Sequence, residues 1–235
     1  AHNMPHLPIH TTEEFRGKSQ AGLYGDVIET IDWSVGQILE ALERNGITED
    51  TIVFFASDNG PWLNFPPRMH QEGNELWHVG SPGHLRGAKG GTYDGGACVP
   101  AMIRWPGKIR PNQDSPELAA MVDIYRTLIT AAGGSLPDHP IDGYDLMPWL
   151  TGKENRSPRT RYYYFLGQLE AIRDGDWKLR TVSGDPELFN MRLDPSERFN
   201  RAKDEPTIVA ELTKAMEEFA AEVGTKVRGV ERRTE

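Results

Sequence analysis

The sequence predicts an α/β fold in which helices flank a sheet, followed by a small α+β subdomain with an antiparallel sheet and a C-terminal helix. Apolar residues recur at helical spacing from Tyr24 to Arg44. The short run 52–56, rich in β-branched and aromatic residues, has the character of a strand buried on both faces. After residue 158, short β-like runs separated by turn sequences precede a second amphipathic helix.

Composition and charge argue against several classes of function and of structural site. The formal net charge of -9 offers no basic surface for nucleic acid or an anionic membrane. No stretch is long and apolar enough to span a membrane. The single cysteine, Cys98, excludes an internal disulfide and a thiolate zinc cage. At 235 residues the chain is long enough to bury a substantial core, either as one large domain or as a domain with an appendage.

Three histidines, His2, His6 and His10, are spaced four residues apart near the N-terminus. Metal ligands on one helix face have this spacing, but Pro5 and Pro8 interrupt any helix there. The imidazoles are therefore not expected to line up. The segment is consistent with a loop that carries one functional histidine, and equally with exposed histidines that have no role.

The first helix is predicted from Tyr24 to Arg44, with Gly46 as its C-terminal cap. A short link leads from it into the strand at 52–56, and this order indicates a helix packed on one face of a parallel sheet. In such sheets ligands bind beyond the carboxyl ends of the strands, which is where residues 57–59 lie.

The side chains of Asp58 and Asn59 offer hard oxygen atoms, which suit Ca²⁺ or Mg²⁺ better than a softer metal. An Asp-Asn-Gly sequence is also typical of a plain turn, because these residues tolerate left-handed backbone. The local sequence thus leaves a metal site and a simple turn both open.

Residues 61–96 are rich in glycine, proline and histidine and have neither helical nor strand period. A loop of this length, directly after the candidate ligands, is expected to cover the site. Within it, the stretch 85–96 concentrates glycine around Lys89, which provides close backbone approach and a compact positive charge for an anion. The spacing does not match a Walker motif. A solvated lysine in a flexible loop is the other interpretation.

Two further stretches belong to the same region. Residues 98–105 predict another strand of the sheet. Residues 115–133 fit either a single helix, or a short strand over 118–122 followed by a helix that is capped at Asp123 and ends at Gly133.

The polar stretch 151–158 has the composition of a hinge. It separates a first predicted domain, 1–155, from a second, 156–235. The second domain is predicted to hold the antiparallel sheet and an amphipathic helix whose apolar stripe runs from Ile208 to Phe219. The charged tail after Thr225 is expected to be frayed.

Several short motifs follow one another in a recognisable order. They are Met4 to Pro8, Ser57 to Gly60, Leu85 to Gly96, Pro100 to Gly107, Asp142 to Leu150, Asp176 to Leu179, Glu187 to Asn190 and Asp194 to Glu197. In this order they resemble the type I sulfatases of the arylsulfatase group, over nearly the whole chain. Because several ordered motifs agree, the resemblance favours the functional interpretation of His6, Asp58, Asn59 and Lys89.

The resemblance implies an alkaline-phosphatase-like α/β fold that hydrolyses sulfate esters beside a bound Ca²⁺, with Mg²⁺ the less expected metal. In that family a formylglycine, made from the cysteine or serine of a Cys/Ser-x-Pro-x-Arg motif, provides the nucleophile. By similarity, Asp58 and Asn59 would be two metal ligands, and Lys89 would bind a sulfate oxygen near the ester bridge. His6 would lie close to the leaving oxygen and protonate it.

The chain departs from the family pattern because it lacks the nucleophile motif. Cys98 and Pro100 resemble it superficially, but Met102 occupies the arginine position, so Cys98 is expected to be structural, as a small buried hydrophobe. The expectation is that the chain is the C-terminal half of a sulfatase, inactive alone and completed by a missing N-terminal half. Such a half would expose a sheet edge and apolar surface, which predicts poor solubility or oligomers.

Two other interpretations stay open. The chain could be a non-catalytic binding module, or the complete protein could hydrolyse a phosphonate or phosphate monoester, because related folds share the metal. The expected partner is a sulfate-ester small molecule or a sulfated glycan, and the family habit suggests a periplasmic or secreted location. His78, His84 and Arg86 could contact such a substrate, or could equally be solvated.

Overall fold

The two halves of the chain form separate compact units. The first extends from Ala1 to Trp105 and the second begins at Pro106. Helices accompany antiparallel sheets in both, which confirms the predicted α/β class. The predicted domain boundary at 155/156 is not tested by this division and stays a prediction. The computed structural model describes residues 1–71, 73–182 and 184–230.

The first unit contains a long helix and a two-stranded sheet. Helix α1 spans Gly22–Arg44 and strand β1 spans Val53–Ala56, as the sequence predicts. A 3-10 turn, Pro67–Met69, follows in the long loop. The short helix α2 spans Asp94–Ala97, and strand β2 spans Ala101–Arg104.

Helix α1 ends at the predicted glycine. Gly46 has a φ of 65°, a left-handed conformation that is unstrained without a Cβ atom. Its N–H donates to the carbonyl of Glu43 at 2.9 Å, and the N–H of Ile47 donates to the carbonyl of Leu42 at 3.1 Å. This pair of bonds is a Schellman motif and satisfies carbonyls that the helix end would otherwise leave open.

The start of α1 is held by a buried carboxylate. Asp26 accepts hydrogen bonds from the backbone N–H groups of Gly17, Lys18 and Ser19, at 2.7, 3.0 and 2.8 Å. The bonds from Ser19 and Gly17 contribute most to holding the pKa of Asp26 below its usual range. The loop before the helix is thereby tied to the helix itself.

The sheet of the first unit differs from the prediction. Strands β1 and β2 run antiparallel, with Val53 opposite Arg104 and Ala56 opposite Ala101, so the predicted parallel pairing is wrong for these strands. All four residues of β1 are only half-buried, and Met102 is 62% exposed. A strand is buried on both faces only where other layers cover both sides of its sheet. Within the described residues this sheet has two strands, and β1 is not covered in that way.

Large apolar side chains are exposed elsewhere in this unit. On helix α1, Trp33 and Ile38 are 50% and 52% exposed. When such side chains form a contiguous patch, the patch normally marks a surface that another element or molecule covers. The expectation of poor solubility or oligomers for the isolated chain stays a prediction.

The core of the first unit anchors the N-terminal segment. Leu7 and Ile9 are buried together with Val27 of α1, and Phe65 and Val79 of the long loop pack against them. No helix forms over residues 1–10, as Pro5 and Pro8 predict.

The second unit begins with helices and continues with a meander. The uncertainty over 115–133 resolves as a helix from Met121 with no strand over 118–122. The Asp123 carboxylate accepts the N–H of Ala120 at 2.8 Å, which caps the helix start, and Gly133 ends the helix with a φ of 69°. The described elements after Pro106 are α3 Met121–Ala131, α4 Met147–Leu150, β3 Arg161–Leu166, β4 Gln168–Asp174, β5 Trp177–Arg180, β6 Glu187–Asn190 and α5 Pro206–Glu222.

Helix α5 packs on the sheet β3-β4-β5-β6, and this confirms the predicted antiparallel sheet with a C-terminal helix. The rings of Tyr163 and Phe219 stack with centroids 3.7 Å apart. A fully buried leucine, isoleucine or methionine contributes about 1.5–3 kcal/mol, so this cluster accounts for much of the unit's stability. Its buried members are Leu169, Ile172, Leu179, Leu188, Leu212, Met216 and Ala220.

The described part of the tail after Thr225, residues 226–230, is not frayed as predicted, and the rest of the tail lies outside the described residues. The N–H of Leu169 donates to the carbonyl of Lys226 at 3.0 Å, and the N–H of Arg228 donates to the carbonyl of Leu169 at 2.8 Å. The hydroxyl of Thr181 also donates to the carbonyl of Arg228, at 2.7 Å. Backbone pairing with β4 therefore orders these residues, and their local charge does not reveal it.

A buried ion pair joins the elements that precede the sheet. Arg159 donates from Nη2 and Nε to the two oxygens of Asp123, at 2.6 and 2.8 Å. Asp123 also accepts the N–H of Tyr144, and Arg159 donates to the carbonyl of Asp142. Burial alone would lower the pKa of Arg159, but its hydrogen bonds to Asp123 and the charge of that residue outweigh burial and raise the pKa. The pair ties α3 to the start of β3.

No helix in the described ranges has the length and apolar character needed to cross a membrane.

Candidate active site

The predicted metal ligands lie in a turn that the backbone holds tightly. Ser57 donates from its hydroxyl to the carbonyl of Asn59 at 3.0 Å, and the N–H of Gly60 donates to the carbonyl of Gly96 at 3.0 Å. A Cβ atom at Gly60 would lie 1.9 Å from the carbonyl oxygen of Gly95. Only glycine allows this approach, so the turn after β1 is docked directly on α2.

Within this turn, Asn59 carries an unusual oxygen. Its Oδ1 atom is buried and has no hydrogen-bond partner among the described residues, whereas Asp58 is exposed. A buried oxygen without a donor is costly unless a ligand satisfies it, and carboxylate and amide oxygens are the ligands that Ca²⁺ prefers. The donor set therefore fits a hard cation. Among the described residues, no group of three or more His, Cys, Asp or Glu side chains is arranged so that it could hold a metal ion.

Lys89 is fixed at its backbone and half-buried. Its N–H donates to the carbonyl of Pro61 at 2.9 Å, which joins the glycine-rich stretch to the segment that follows the Asp58 turn. Its Nζ atom lies 5.4 Å from the centroid of the Trp62 ring, within cation-π range.

His6 has a defined tautomer. Its Nδ1 atom lies 2.7 Å from the carbonyl oxygen of Leu7. A carbonyl oxygen only accepts, so Nδ1 carries the proton and Nε2 is the nitrogen that can exchange a proton with a ligand. The ring of His6 lies 5.6 Å from that of Trp62, centroid to centroid, at an interplanar angle of 50°.

The structure separates His6 from the other two N-terminal histidines. His2 and His10 line a cavity of about 230 Å³ together with Thr11 and Thr30, and His6 is not part of its lining. The prediction that the three imidazoles do not line up is thus confirmed for these described residues.

Trp62 brings His6 and Lys89 together, and sequence reasoning missed it. Both side chains contact the same indole although they are far apart in the chain. Asn59 precedes Trp62 by three residues, so their Cα atoms are at most about 11 Å apart. His6 and Lys89 therefore lie next to one indole, and Asp58 and Asn59 come four and three residues before it in the chain. The only sequence signal was the position of the tryptophan directly after the Asp-Asn-Gly-Pro turn.

Asn74 is a second residue that the sequence did not reveal. Its side chain is buried and forms two hydrogen bonds with the backbone of Ile9, accepting the N–H at 2.7 Å and donating to the carbonyl at 3.2 Å. The long loop is thereby fastened to the segment that carries His6. Nothing in the polar sequence around Asn74 distinguishes it from a solvated loop residue.

His78 is not the solvated loop residue that one of its two interpretations described, and its contact with a substrate stays a prediction. It is 2% exposed, and its Nδ1 atom accepts the N–H of Glu75 at 2.9 Å. Burial lowers the pKa of His78, against the opposing charge of Glu75, and so favours the neutral ring. Its position is inside the loop, whereas His84 and Arg86 are exposed, with the Arg86 guanidinium 4.0 Å from the centroid of the Tyr93 ring.

The predicted burial of Cys98 is wrong. Cys98 is exposed and lies between α2 and β2, because the strand begins only at Ala101. Its N–H donates to the carbonyl of Asp94 at 2.7 Å and closes the last turn of α2.

Comparisons with known proteins point to one family. Residues 1–135 match the family described as Sulfatase, and residues 88–222 match the family described as N-sulphoglucosamine sulphohydrolase, C-terminal. Human steryl-sulfatase is 40% identical over 170 residues, which are 72% of this chain and 28% of that protein. An N-acetylgalactosamine-6-O-sulfatase of Bacteroides thetaiotaomicron is 32% identical over 230 residues, which are 90% of this chain and 44% of that protein.

A solved structure agrees with these matches. It comes from work on the metabolism of multiple glycosaminoglycans by Bacteroides thetaiotaomicron, and it superimposes with a TM-score of 0.79 at 30% identity. The match covers 93% of this chain and 48% of the solved chain. The chain thus spans less than half the length of the relatives it matches.

Proposed function

The chain belongs to the sulfatase family, and from this membership we propose that it supplies one side of the active site of a sulfuric ester hydrolase. The observation that carries the proposal is the contact of two predicted site residues with one tryptophan that follows the predicted metal ligands in the chain. His6 and Lys89 contact the same tryptophan, and Asn59, with its unpartnered buried oxygen, precedes that tryptophan by three residues. A proton donor, a cation and hard oxygen ligands are the groups that cleavage of an anionic ester requires.

His6 is proposed to protonate the leaving oxygen. Its Nδ1 proton is committed to the carbonyl of Leu7, so a second proton on Nε2 would be the one transferred. When the ester S–O bond breaks, the leaving alkoxide or phenoxide takes this proton and departs as the neutral alcohol or phenol. The histidine is left as the neutral Nδ1–H tautomer, which the Leu7 carbonyl stabilises.

Lys89 is proposed to bind a non-bridging or bridging oxygen of the sulfate. Its ammonium is a compact charge with three donors, and its backbone is fixed by the bond to Pro61. Negative charge that develops on the transferred group and the leaving oxygen would be stabilised by a cation already in place.

Asp58 and Asn59 are proposed to hold a Ca²⁺ ion, with Mg²⁺ less favoured. When bound, the ion would neutralise sulfate charge and orient the ester. The unpartnered Oδ1 atom of Asn59 supports this assignment. Substitution of Asp58 or Asn59 by alanine is expected to weaken Ca²⁺ binding measured by isothermal titration calorimetry, a readout that is independent of turnover.

The nucleophile is proposed to lie outside this sequence. No Cys/Ser-x-Pro-x-Arg motif occurs in the 235 residues, and the chain spans less than half the length of its relatives. A formylglycine in an upstream segment would supply the nucleophilic hydroxyl in the family's reaction.

The alcohol part of the substrate is proposed to be an aryl or carbohydrate group. A cavity of about 480 Å³ is lined by Leu63, which follows Trp62 in the chain, and by Phe65 and Leu76, so its lining is mostly apolar. The polar side chains of Asn64 and His70 also line it. Relatives are named for a steryl sulfate and for an N-acetylgalactosamine 6-sulfate. Comparing the turnover of 4-nitrophenyl sulfate, an aryl ester, with that of N-acetylgalactosamine 6-sulfate, a carbohydrate ester, would distinguish the two substrate classes.

The test is hydrolysis of 4-nitrophenyl sulfate with Ca²⁺, by this chain alone and after addition of an upstream segment matured to carry formylglycine. We expect turnover only in the combination. His6→Ala should lower kcat by about 10²–10⁴-fold, the range for a lost general acid. Lys89→Ala should lower it by about 10²–10³-fold, the range for a lost charge-stabilising donor.

Matched controls are His10→Ala and Lys108→Ala, because both side chains are exposed and have no assigned role. Hydrolysis by the chain alone would show that the nucleophile lies within this sequence and not outside it. If neither preparation hydrolyses the ester, a non-catalytic binding module is favoured. Faster cleavage of 4-nitrophenyl phosphate than of the sulfate would favour a phosphate or phosphonate monoester hydrolase.

A further inference from the structure

We infer that Trp62 is a positioning residue that holds the His6 ring and the Lys89 ammonium on one indole surface. The inference rests on the proposed function, since it concerns the two residues assigned to leaving-group protonation and sulfate binding. Trp62 itself is not assigned any contact with the substrate.

Two independent contacts support this role. The His6 ring lies 5.6 Å from the Trp62 ring at an angle of 50°, which is a tilted aromatic arrangement within the favourable distance. The Lys89 ammonium lies 5.4 Å from the same ring and therefore feels the negative potential of the indole face. One side chain thus contacts both residues, which come from two segments that are distant in the chain.

The backbone around Trp62 is itself fixed. Pro61, directly before it, accepts the N–H of Lys89 at 2.9 Å, and Gly60 donates to the carbonyl of Gly96 at 3.0 Å. The indole therefore projects from a segment held at two consecutive residues. A rigid support of this kind reduces the number of conformations open to a lysine with four rotatable bonds and to an exposed histidine.

The contacts of Trp62 are not those of a core residue. The buried cluster of the first unit consists of Leu7, Ile9 and Val27, and Trp62 is not among the side chains packed against it. Truncation of Trp62 is therefore not expected to leave a core cavity. Its effect should fall on the placement of His6 and Lys89, because small misplacements of catalytic groups reduce rates strongly.

The kinetic test compares Trp62→Ala and Trp62→Phe in the assembled enzyme with 4-nitrophenyl sulfate. Trp62→Ala should lower kcat by about 10- to 100-fold, because the two groups that act on the leaving oxygen and on the sulfate in the transition state are displaced. Trp62→Phe should recover most of this loss, since a phenyl ring preserves an aromatic face.

Trp33→Ala is the matched control. Trp33 also forms a tilted aromatic pair, with Phe15 at 5.4 Å and 57°, and Lys18 lies 5.8 Å from the Phe15 ring. Trp33 thus matches Trp62 in its tilted aromatic pair, whereas the neighbouring lysine lies over Phe15 and not over Trp33. Trp33→Ala should leave kcat within about twofold, as expected for a surface substitution.

A spectroscopic readout separates this inference from the proposed function. In NMR spectra, the carbon-bound protons of the His6 ring should show a ring-current shift that Trp62→Ala removes and Trp33→Ala leaves unchanged; His6→Gln assigns the signals. If Trp62→Ala removes the ring-current shift but the wild type shows no turnover, the positioning role is supported and sulfate-ester hydrolysis is rejected. Turnover that Trp62→Ala and Trp33→Ala affect equally, or His6 signals unchanged by Trp62→Ala, would overturn the inference.

Discussion

The second unit and the site region of the first unit are organised in opposite ways. In the second unit, a regular four-stranded sheet and helix α5 bury a continuous apolar cluster, and the Asp123–Arg159 pair is enclosed. In the site region, the described residues between 57 and 96 are mostly irregular backbone held by a few hydrogen bonds and one shared indole. Substitutions should therefore change stability in the former and activity in the latter.

The largest effect is expected where the enclosed ion pair is broken. Arg159→Met leaves the Asp123 carboxylate buried without its charge partner, and the free energy of unfolding should fall by about 3–5 kcal/mol. Denaturant unfolding followed by circular dichroism measures the change.

Arg161→Met is the control for this prediction. Its pair with Asp174 is on the surface, with side chains 44% and 30% exposed, and its loss should cost at most about 1 kcal/mol. Equal losses for the two variants would contradict the view that enclosure, rather than charge pairing as such, determines stability in the second unit.

A smaller effect on stability, combined with an effect on activity, is expected at Asn74. Asn74→Ala leaves the N–H and carbonyl of Ile9 without partners, which costs about 1–3 kcal/mol locally. Faster hydrogen exchange at the Ile9 amide and a lower kcat should appear together, because Ile9 belongs to the segment that carries His6.

Gln71→Ala provides the comparison for Asn74, since Gln71 is an exposed amide side chain of the same loop. It should leave both readouts unchanged. Faster exchange at Ile9 in Asn74→Ala without any loss of kcat would show that the loop does not hold the site.

The smallest effect is expected in the pH dependence of stability. Asp26 has a folded-state pKa below its unfolded value, so its contribution is present above about pH 4, the unfolded pKa, and is lost as pH falls through the lower folded pKa. Asp26→Asn removes this titration, and its stability should decline less steeply than that of the wild type over this acid range.

Thermal unfolding at a series of pH values measures this difference. Glu29→Gln is the control, because Glu29 is an exposed carboxylate on the same helix. Parallel pH profiles for the wild type and Asp26→Asn would show that the three backbone hydrogen bonds do not bind the ionised form preferentially.

The regular elements could be predicted because their signals are local. The apolar stripe of α1, the left-handed Gly46 and the turns of the meander each specify their own conformation. The direction of pairing between β1 and β2 could not be predicted in this way. The pairing direction depends on the path that the long loop takes from the end of β1 to the start of β2, and such a path has no periodic signal in the sequence.

The candidate site was accessible to sequence only in part. His6, Asp58, Asn59 and Lys89 were selected through ordered motifs, and their roles remain proposals. Trp62 and Asn74 were missed because their contacts are with residues distant in the chain. The burial of His78 and the exposure of Cys98 were also decided by packing.

The sequence by itself determined the α/β class, the positions of α1, β1, the meander and α5, and the sulfatase resemblance, because periodicity, capping and motif order are written along the chain. Tertiary structure alone decided which of these residues meet. The contact of His6 and Lys89 on Trp62, the unpartnered oxygen of Asn59, and the pairing of the tail with β4 depend on long-range packing and backbone hydrogen bonds. Such contacts join segments whose separation in sequence carries no information about their distance in space.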